Sequence, residues 1–101
     1  AVLDQFAAAA FGGVALETMA LGRRLVTRLD PSTLAPFFAS APPVLAAATP
    51  AQVAEAIGAV LSDPADAGGR GAAAQRWMQG EHGTQRQLAL QFAAFERLAP
   101  A

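Results

Sequence analysis

The stretch that decides the fold of this chain is Phe11-Gly12-Gly13-Val14-Ala15-Leu16-Glu17-Thr18-Met19-Ala20-Leu21-Gly22. Residues 13–21 are apolar on most sides and predict a buried helix. Gly22 fits the position just past the helix end, where a left-handed backbone conformation is common. Glu17 is the only charged residue from Ala7 to Gly22. Because burying an unpartnered carboxylate is costly, we expect Glu17 either to face a solvent-filled crevice or to hold a ligand.

The glycine pair in front of this helix adds to the ligand hypothesis. Gly12 and Gly13 would leave backbone N–H groups open at a helix start, where anions bind. With an acid one turn further along, such a helix start suits a phosphorylated ligand that also carries hydroxyl groups. On the residues alone, two plainer interpretations stay open: the glycines form a simple turn, and Glu17 is a surface carboxylate or one paired with an arginine.

The composition restricts the classes of function. The chain has 101 residues, is 53% hydrophobic and carries a net charge of −1, which is typical of one globular domain or part of one. A nearly neutral charge argues against a nucleic-acid-binding protein, which usually presents a basic face. With no Cys and a single His, His82, the sequence offers no disulfide framework, no thiol nucleophile and no multi-histidine metal site.

Around the decisive stretch, short apolar runs alternate with helical patterns. Strands are predicted at residues 2–3, 25–29 and 44–45, with helices between them. Such alternation predicts the α/β class with a parallel sheet. Three short strands make a narrow sheet with two open edges, and the chain begins as if inside a strand. We therefore expect residues 1–101 to form a single partial domain of a longer protein.

Capping patterns predict where the remaining helices begin. Asp30-Pro31 predicts a short helix that runs to about Ala39, and Thr49-Pro50-Ala51-Gln52 is a capping-box pattern. Like Asp30-Pro31, Asp63-Pro64 predicts a helix start with Asp as the cap and Pro at the first helical position. Residues 84–87 repeat the capping-box pattern.

The last predicted helix carries a narrow apolar stripe. Its members are spaced at i, i+4, i+7 and i+11: Leu88, Phe92, Phe95 and Ala99. We expect this stripe to be buried against the sheet or the preceding helices.

No segment predicts a membrane span or a secretory signal. The longest charge-free stretch, residues 35–54, contains four prolines, which a spanning helix would not tolerate. The N-terminus lacks a basic region followed by an apolar core. These features lead us to expect a cytoplasmic location.

The decisive stretch, with Asp4-Gln5-Phe6 before it, resembles the C-terminal domain of retaining glycosyltransferases of family 4, also called group 1. In that family a loop ending in Phe-Gly or Tyr-Gly leads into a helix that reads roughly Leu-Glu-Ala-Met-Ala-x-Gly, and a Pro-Val-Ile type strand follows. The strand corresponds to Leu25-Val26-Thr27 here. The resemblance spans nearly the whole chain, and the downstream segments that also fit are Pro42-Pro43-Val44-Leu45, Thr49-Pro50, Ser62-Asp63-Pro64, Trp77 and Glu81-His82.

The resemblance implies a Rossmann-like parallel sheet with flanking helices, forming the nucleotide-sugar-binding half of a GT-B glycosyltransferase. It implies that Glu17 hydrogen-bonds the ribose of a nucleotide-diphosphate-sugar donor. It also implies that Phe11, Gly12, Gly13 and Val14 lie at the diphosphate and the sugar. Many family members carry another Glu eight residues before the one that matches Glu17. This chain has Ala9 there, so the resemblance does not imply the family's usual sugar contact.

The same resemblance implies glycosyl transfer without a metal ion or other cofactor. Glu17 would act as a positioning group, and no residue of this chain is expected to be catalytic. The basic residues that clamp the diphosphate would come from outside residues 1–101, and so would the acceptor-binding N-terminal half. Any peripheral contact with a membrane would be made through that missing half.

Other charged residues are weaker candidates. Arg28 and Asp30 follow a predicted parallel strand, at the sheet edge where ligands bind in open α/β proteins. Arg23-Arg24 would attract a phosphate or form a solvated helix end, and His82 fits a helix end or a surface position. Two other functions stay open: a nucleotide-sugar epimerase of the same architecture, and an interaction module without a ligand or enzymatic activity.

Overall fold

A computed structural model describes residues 1–6, 13–35 and 38–98 of the chain. Its centre is a three-stranded parallel sheet with the order β1-β2-β3, formed by Val2–Leu3, Leu25–Thr27 and Leu45–Ala46. The register pairs Val2 with Leu25 and Val26 with Leu45. The predicted α/β class with parallel strands is confirmed, although the middle strand is two residues shorter than predicted.

Five helices are described around the sheet: α1 Gly13–Ala20, α2 Pro31–Leu34, α3 Pro50–Ser62, α4 Arg70–Glu81 and α5 Thr84–Leu98. The helix of the decisive stretch, α1, connects β1 to β2. Because these two strands are parallel, the connecting helix must run back along the sheet. The N-terminus of α1 therefore lies at the carboxyl edge of the sheet, near the ends of the strands.

The middle strand is buried on both faces because α1 and α4 cover one face and α3 covers the other. Successive strand residues point to opposite sides. Leu25 joins a core with residues from α1 and α4, whose largest members are Met19 and Trp77. Val26 joins a second core with Ala47 and Ala56. The sheet and these three helices form a three-layer body.

Local capping signals predict several element ends correctly. Gly22 follows α1 with φ of +70°, the left-handed conformation expected of it. Thr49 and Gln52 form the predicted capping box at α3, each side chain accepting the other residue's backbone N–H at 3.2 Å. Asp30 caps α2 by accepting the N–H of Ser32 at 3.0 Å.

Two of the predicted helices differ from the observed ones. The helix after Asp30 ends at Leu34 instead of about Ala39; Ala35 precedes a proline, a position that disfavours helical backbone. The predicted helix at Asp63-Pro64 is a loop, since the Asp63 carboxylate accepts N–H groups of Ala67 at 2.8 Å and Gly68 at 3.0 Å. The helix begins only at Arg70.

The carboxylate that accepts backbone N–H groups at the start of α4 belongs to Asp66 and not to Asp63. The Asp66 carboxylate accepts the N–H groups of Arg70 at 3.1 Å and Gly71 at 2.8 Å. Gly69, in the left-handed conformation with φ of +72°, turns the chain into the helix. The glycine-rich loop is therefore fixed by two carboxylates in succession.

The expected burial of the stripe on α5 is wrong. Leu88 is 46% exposed, Phe92 63% and Phe95 66%, and α5 has no buried residue; Ala99 lies outside the described residues. No layer of the described body lies against this helix. The capping box predicted at Thr84 is also absent, since Thr84 is the first helical residue and the N–H of Gln87 bonds to the Gly83 carbonyl.

Across the part of the chain that the structure describes, no helix combines the length and the apolar character needed to cross a membrane.

Candidate ligand site at the carboxyl edge of the sheet

The carboxyl edge of the sheet brings together three chain segments and the start of α1. The segments that leave the strands are residues 4–6 after β1, 28–30 after β2 and 47–49 after β3. In open parallel α/β sheets, ligands bind outside this edge. The candidate site is therefore built from these segments and the first two turns of α1.

Backbone hydrogen bonds fasten the exits of β1 and β2 to each other. The Gln5 carbonyl oxygen accepts the N–H of Arg28 and the hydroxyl of the fully buried Thr27, both at 3.2 Å. The N–H of Asp4 bonds to the Val26 carbonyl at 2.9 Å. This part of the edge is consequently a fixed support beside the start of α1.

Glu17 lies one turn into α1 on the outward face of the helix. Its neighbours Thr18 and Met19 are buried, whereas Glu17 is exposed, as are Val14 and Leu21 at the i−3 and i+4 positions. Its carboxylate makes no ion pair or hydrogen bond with another described residue. Of the alternatives drawn from the sequence, pairing with an arginine is not seen here. An exposed carboxylate suits both a ligand contact and an ordinary surface position.

The start of α1 is open. Gly13 and Val14 are its first two residues and both are exposed. A Cβ atom added to Gly13 would meet nothing within 4 Å, so no described part of the chain packs against this glycine. Phe11 and Gly12, together with Ala9, lie outside the described residues. The described half of the predicted anion site is thus accessible.

Asp4 is a polar residue at this edge that the sequence analysis did not single out. Its Oδ2 atom is buried and finds no hydrogen-bond partner in the described part of the chain. Leaving such an atom unsatisfied costs free energy, so a donor brought by a neighbouring group would be favourable there. The usable signal in the sequence was an acid placed directly after a predicted strand.

A shallow cavity of about 440 Å³ lies at the same edge, beside the start of α3. Its wall is mainly apolar and combines Phe6, which follows β1, with Pro50, Val53 and Ile57. This part of the edge therefore suits an apolar group, and the polar functions are concentrated near α1.

The remaining candidate residues are divided between the two edges and the helices. Arg28 and Asp30 are exposed at the carboxyl edge, as predicted from their position after β2. Arg24 lies at the opposite edge, where its guanidinium donates to the Asp63 carbonyl at 2.6 Å and lies 3.8 Å from Asp66. It therefore fastens the loop before α4, and this contact corrects the expectation that it would attract a phosphate or form a solvated helix end.

His82 is the C-cap residue of α4, in agreement with the expected helix end, and it is partly buried instead of lying at a free surface. Its ring packs against Trp77 and Phe38, with centroids 5.5 and 5.4 Å away. Within residues 1–6, 13–35 and 38–98, no group of three His, Asp or Glu side chains converges as a metal site would require.

No protein-family model matches the chain, and comparisons with curated proteins and with solved structures likewise find no match.

Proposed function

We propose that this chain is the donor-binding C-terminal part of a GT-B glycosyltransferase, which moves a sugar from a nucleotide-diphosphate-sugar donor to an acceptor. The observation that carries the proposal is the exposed Glu17, which has no described partner and lies one turn into a helix that starts openly at the carboxyl edge of a parallel sheet. The resemblance of residues 11–22 to family 4 glycosyltransferases gives this arrangement a specific ligand. A Rossmann-like sheet is part of the same proposal.

In the proposed complex, α1 supplies two kinds of contact. Backbone N–H groups at the helix start, near Gly13 and Val14, would face the donor diphosphate. The resemblance implies the same role for Phe11 and Gly12, which lie outside the described residues. The Glu17 carboxylate accepts hydrogen bonds from the ribose hydroxyls. Anion and hydroxyl recognition are thus separated by one helical turn, which is about 5 Å along the axis.

The same contacts would assist the chemical step. As the bond between the anomeric carbon and the diphosphate oxygen breaks, negative charge builds up on the diphosphate. Oriented N–H groups and the positive end of the helix dipole stabilise that charge. Glu17 orients the donor and takes no proton, so no catalytic residue is assigned to this chain and the proposal involves no metal ion.

Transfer would also require an acceptor-binding N-terminal half. A strand paired with the free edge of β1 would reverse the strand order there and place a ligand crevice beside α1. Basic residues for the diphosphate would come from the same missing region. The exposed stripe of α5 would be one surface by which the two halves join. We therefore expect residues 1–101 alone to transfer no sugar, because donor and acceptor must be held together.

The test is calorimetry with nucleoside diphosphates on the full-length protein. Glu17→Ala should weaken binding by about 1.5–3 kcal/mol, the range for a hydrogen bond to a charged group. Glu55→Gln, which changes an exposed carboxylate on α3, is the matched control and should bind as the wild type does. Unchanged affinity of a folded Glu17→Ala variant would refute the ribose contact.

A second candidate function is an interaction module without enzymatic activity. It is favoured by the large exposed side chains of α5 rather than by the sheet edge. Absence of nucleoside diphosphate binding by the full-length protein would support it. The epimerase alternative shares the donor site and is separated by its product, since it would change the donor sugar without transferring it.

A further inference from the structure

The junction between α4 and α5 is short, and several side-chain contacts hold it together. We call it the elbow and define it as residues 81–86 together with residues 38–40, which pack against it. Only His82 and Gly83 separate the two helices. The direction of α5 is set here, because no residue of this helix is buried against the body.

A single buried carboxylate joins three segments at the elbow. Glu81, the last residue of α4, is 7% exposed. Its Oε1 accepts the N–H of Ala39 at 3.1 Å, and its Oε2 lies 3.3 Å from Nε of Arg86 in the first turn of α5. The second contact is an ion pair without hydrogen-bond alignment. One side chain therefore contacts both segment 38–40 and α5.

Aromatic rings fill the same region. Phe38, Trp77 and His82 pack mutually with centroid distances of 5.0 to 5.5 Å. The indole N–H of Trp77 also donates to the Ser40 carbonyl at 3.1 Å. Segment 38–40 is thereby fastened to α4 by a second hydrogen bond that does not involve Glu81.

The backbone at the elbow lies close to the last turn of α4. A Cβ atom at Gly83 would overlap the carbonyl oxygen of Gln79, so the chain turns against the last turn of α4. The backbone N–H of His82 still bonds to the Met78 carbonyl at 2.8 Å, so α4 keeps its hydrogen bonding up to the turn. Only glycine therefore fits at position 83 without a shift of the backbone.

We propose that the elbow makes α5 a rigid arm and that Glu81 is the positioning residue that sets its direction. Arg86 is the only charged group of α5 with a described ion pair to the body. Removing this pair leaves the aromatic cluster in place but takes away the ion pair described between the arm and α4. The inference concerns the mechanics of the fold and does not depend on the proposed ligand.

The absence of Cys from the sequence and the single Trp make the test direct. Spin labels at Ala51→Cys on α3 and Ala89→Cys on α5 report the direction of the arm, and both positions are exposed. Trp77 emission reports separately on the aromatic cluster. Glu81→Gln keeps an acceptor for Ala39 and removes the charge that pairs with Arg86. Glu96→Gln, the same change further along α5, is the control.

We expect a narrow distance distribution in the wild type and in Glu96→Gln, and a broad one in Glu81→Gln with Trp77 emission unchanged. If Glu81→Gln unfolds, Arg86→Gln carries the test, because its side chain is already one-third exposed and is easier to replace. A broad wild-type distribution, or a narrow one in a folded variant without the ion pair, would overturn the proposal.

Discussion

Two helices of this chain, α1 and α5, both have apolar sequence patterns, but only α1 is buried against the rest of the described structure. The first, α1, has eight residues and buries Ala15, Thr18 and Met19 against the sheet and α4. The last, α5, has fifteen residues and a clearer apolar stripe, yet buries none of them. The comparison teaches that an apolar stripe identifies the face a helix can bury. It does not show that the partner lies within the same stretch of chain.

The difference follows from how each helix is connected. A four-residue link joins α1 to β2, so α1 has to pack along the sheet. Its far end is also contacted by α4, where the Gln75 amide donates to the Ala20 carbonyl at 3.1 Å. By contrast, α5 is the last described element, and no described strand after it brings the chain back to the body. Four experiments test the stability of these regions.

The largest effect is expected for Trp77→Ala in the body. Trp77 is 7% exposed and contributes the largest side chain of the core shared with α1. Deleting a buried Trp side chain costs about 3–5 kcal/mol, a large part of the stability of a small domain. Urea unfolding followed by circular dichroism measures the loss. Gln79→Ala, at an exposed position of α4, should leave the midpoint unchanged, and an unchanged midpoint for Trp77→Ala would contradict the assigned core.

An intermediate effect is expected where α1 and α4 approach most closely. A Cβ atom at Gly71 would overlap the carbonyl oxygen of Gly22, whereas one at Gly80 on the same helix would meet nothing within 4 Å. Gly71→Ala should therefore destabilise the protein by about 1–3 kcal/mol through overpacking. Gly80→Ala should stabilise it by about 0.4–1 kcal/mol through reduced chain entropy. Equal thermal midpoints for these two variants would mean that the helices do not pack as described.

The sequence was sufficient where the cause is local. The left-handed Gly22, the capping box of Thr49 with Gln52 and the Asp30 cap all depend on residues within four positions. The parallel order of the strands followed from their alternation with helices. The exposure of Glu17 agrees with a surface position or a ligand contact, and among the described residues the carboxylate pairs with no arginine.

The sequence was insufficient where the cause is distant. Arg24 is fastened by the carbonyl of Asp63, 39 residues away, and no local pattern indicates that contact. Asp66, and not Asp63, accepts the N–H groups at the start of α4 because of how the loop before this helix folds, and Arg24 contacts that loop at both residues. The Asp4 oxygen, which finds no hydrogen-bond partner among the described residues, likewise depends on what surrounds it in the fold.

A smaller effect on stability, dependent on pH, is expected for Asp63 in the loop before α4. Backbone N–H groups of Gly68 and Ala67 hold the pKa of Asp63 below its usual range, and the Arg24 guanidinium adds to this against the opposing effect of burial. A carboxyl whose pKa is lower when folded stabilises the protein above its unfolded pKa of about 3.9. That contribution is lost as the pH falls through the folded value. Asp63→Asn should therefore lower the unfolding free energy more at pH 7 than at pH 3, and equal differences at both values would contradict this.

The smallest effect is expected for Phe92→Ala on the arm. Phe92 is 63% exposed, so truncation removes no core contact, and Ala favours helix more than Phe does. In residues 1–101 alone, the change in stability should stay within about 0.5 kcal/mol, as for surface substitutions generally. The control is Met19→Ala on α1, where the side chain is fully buried and its loss should cost about 2–5 kcal/mol.

The comparison of Phe92→Ala with Met19→Ala is informative because both side chains are large and apolar and differ mainly in what covers them. If Phe92→Ala lowers the thermal midpoint of the full-length protein but leaves that of residues 1–101 unchanged, the stripe is covered by the part of the protein outside these residues. If it lowers both midpoints equally, α5 packs against the body after all, and the contrast between the two helices is wrong. No loss in either case, together with a clear loss for Met19→Ala, means that the arm presents its stripe to solvent and that the body alone determines stability.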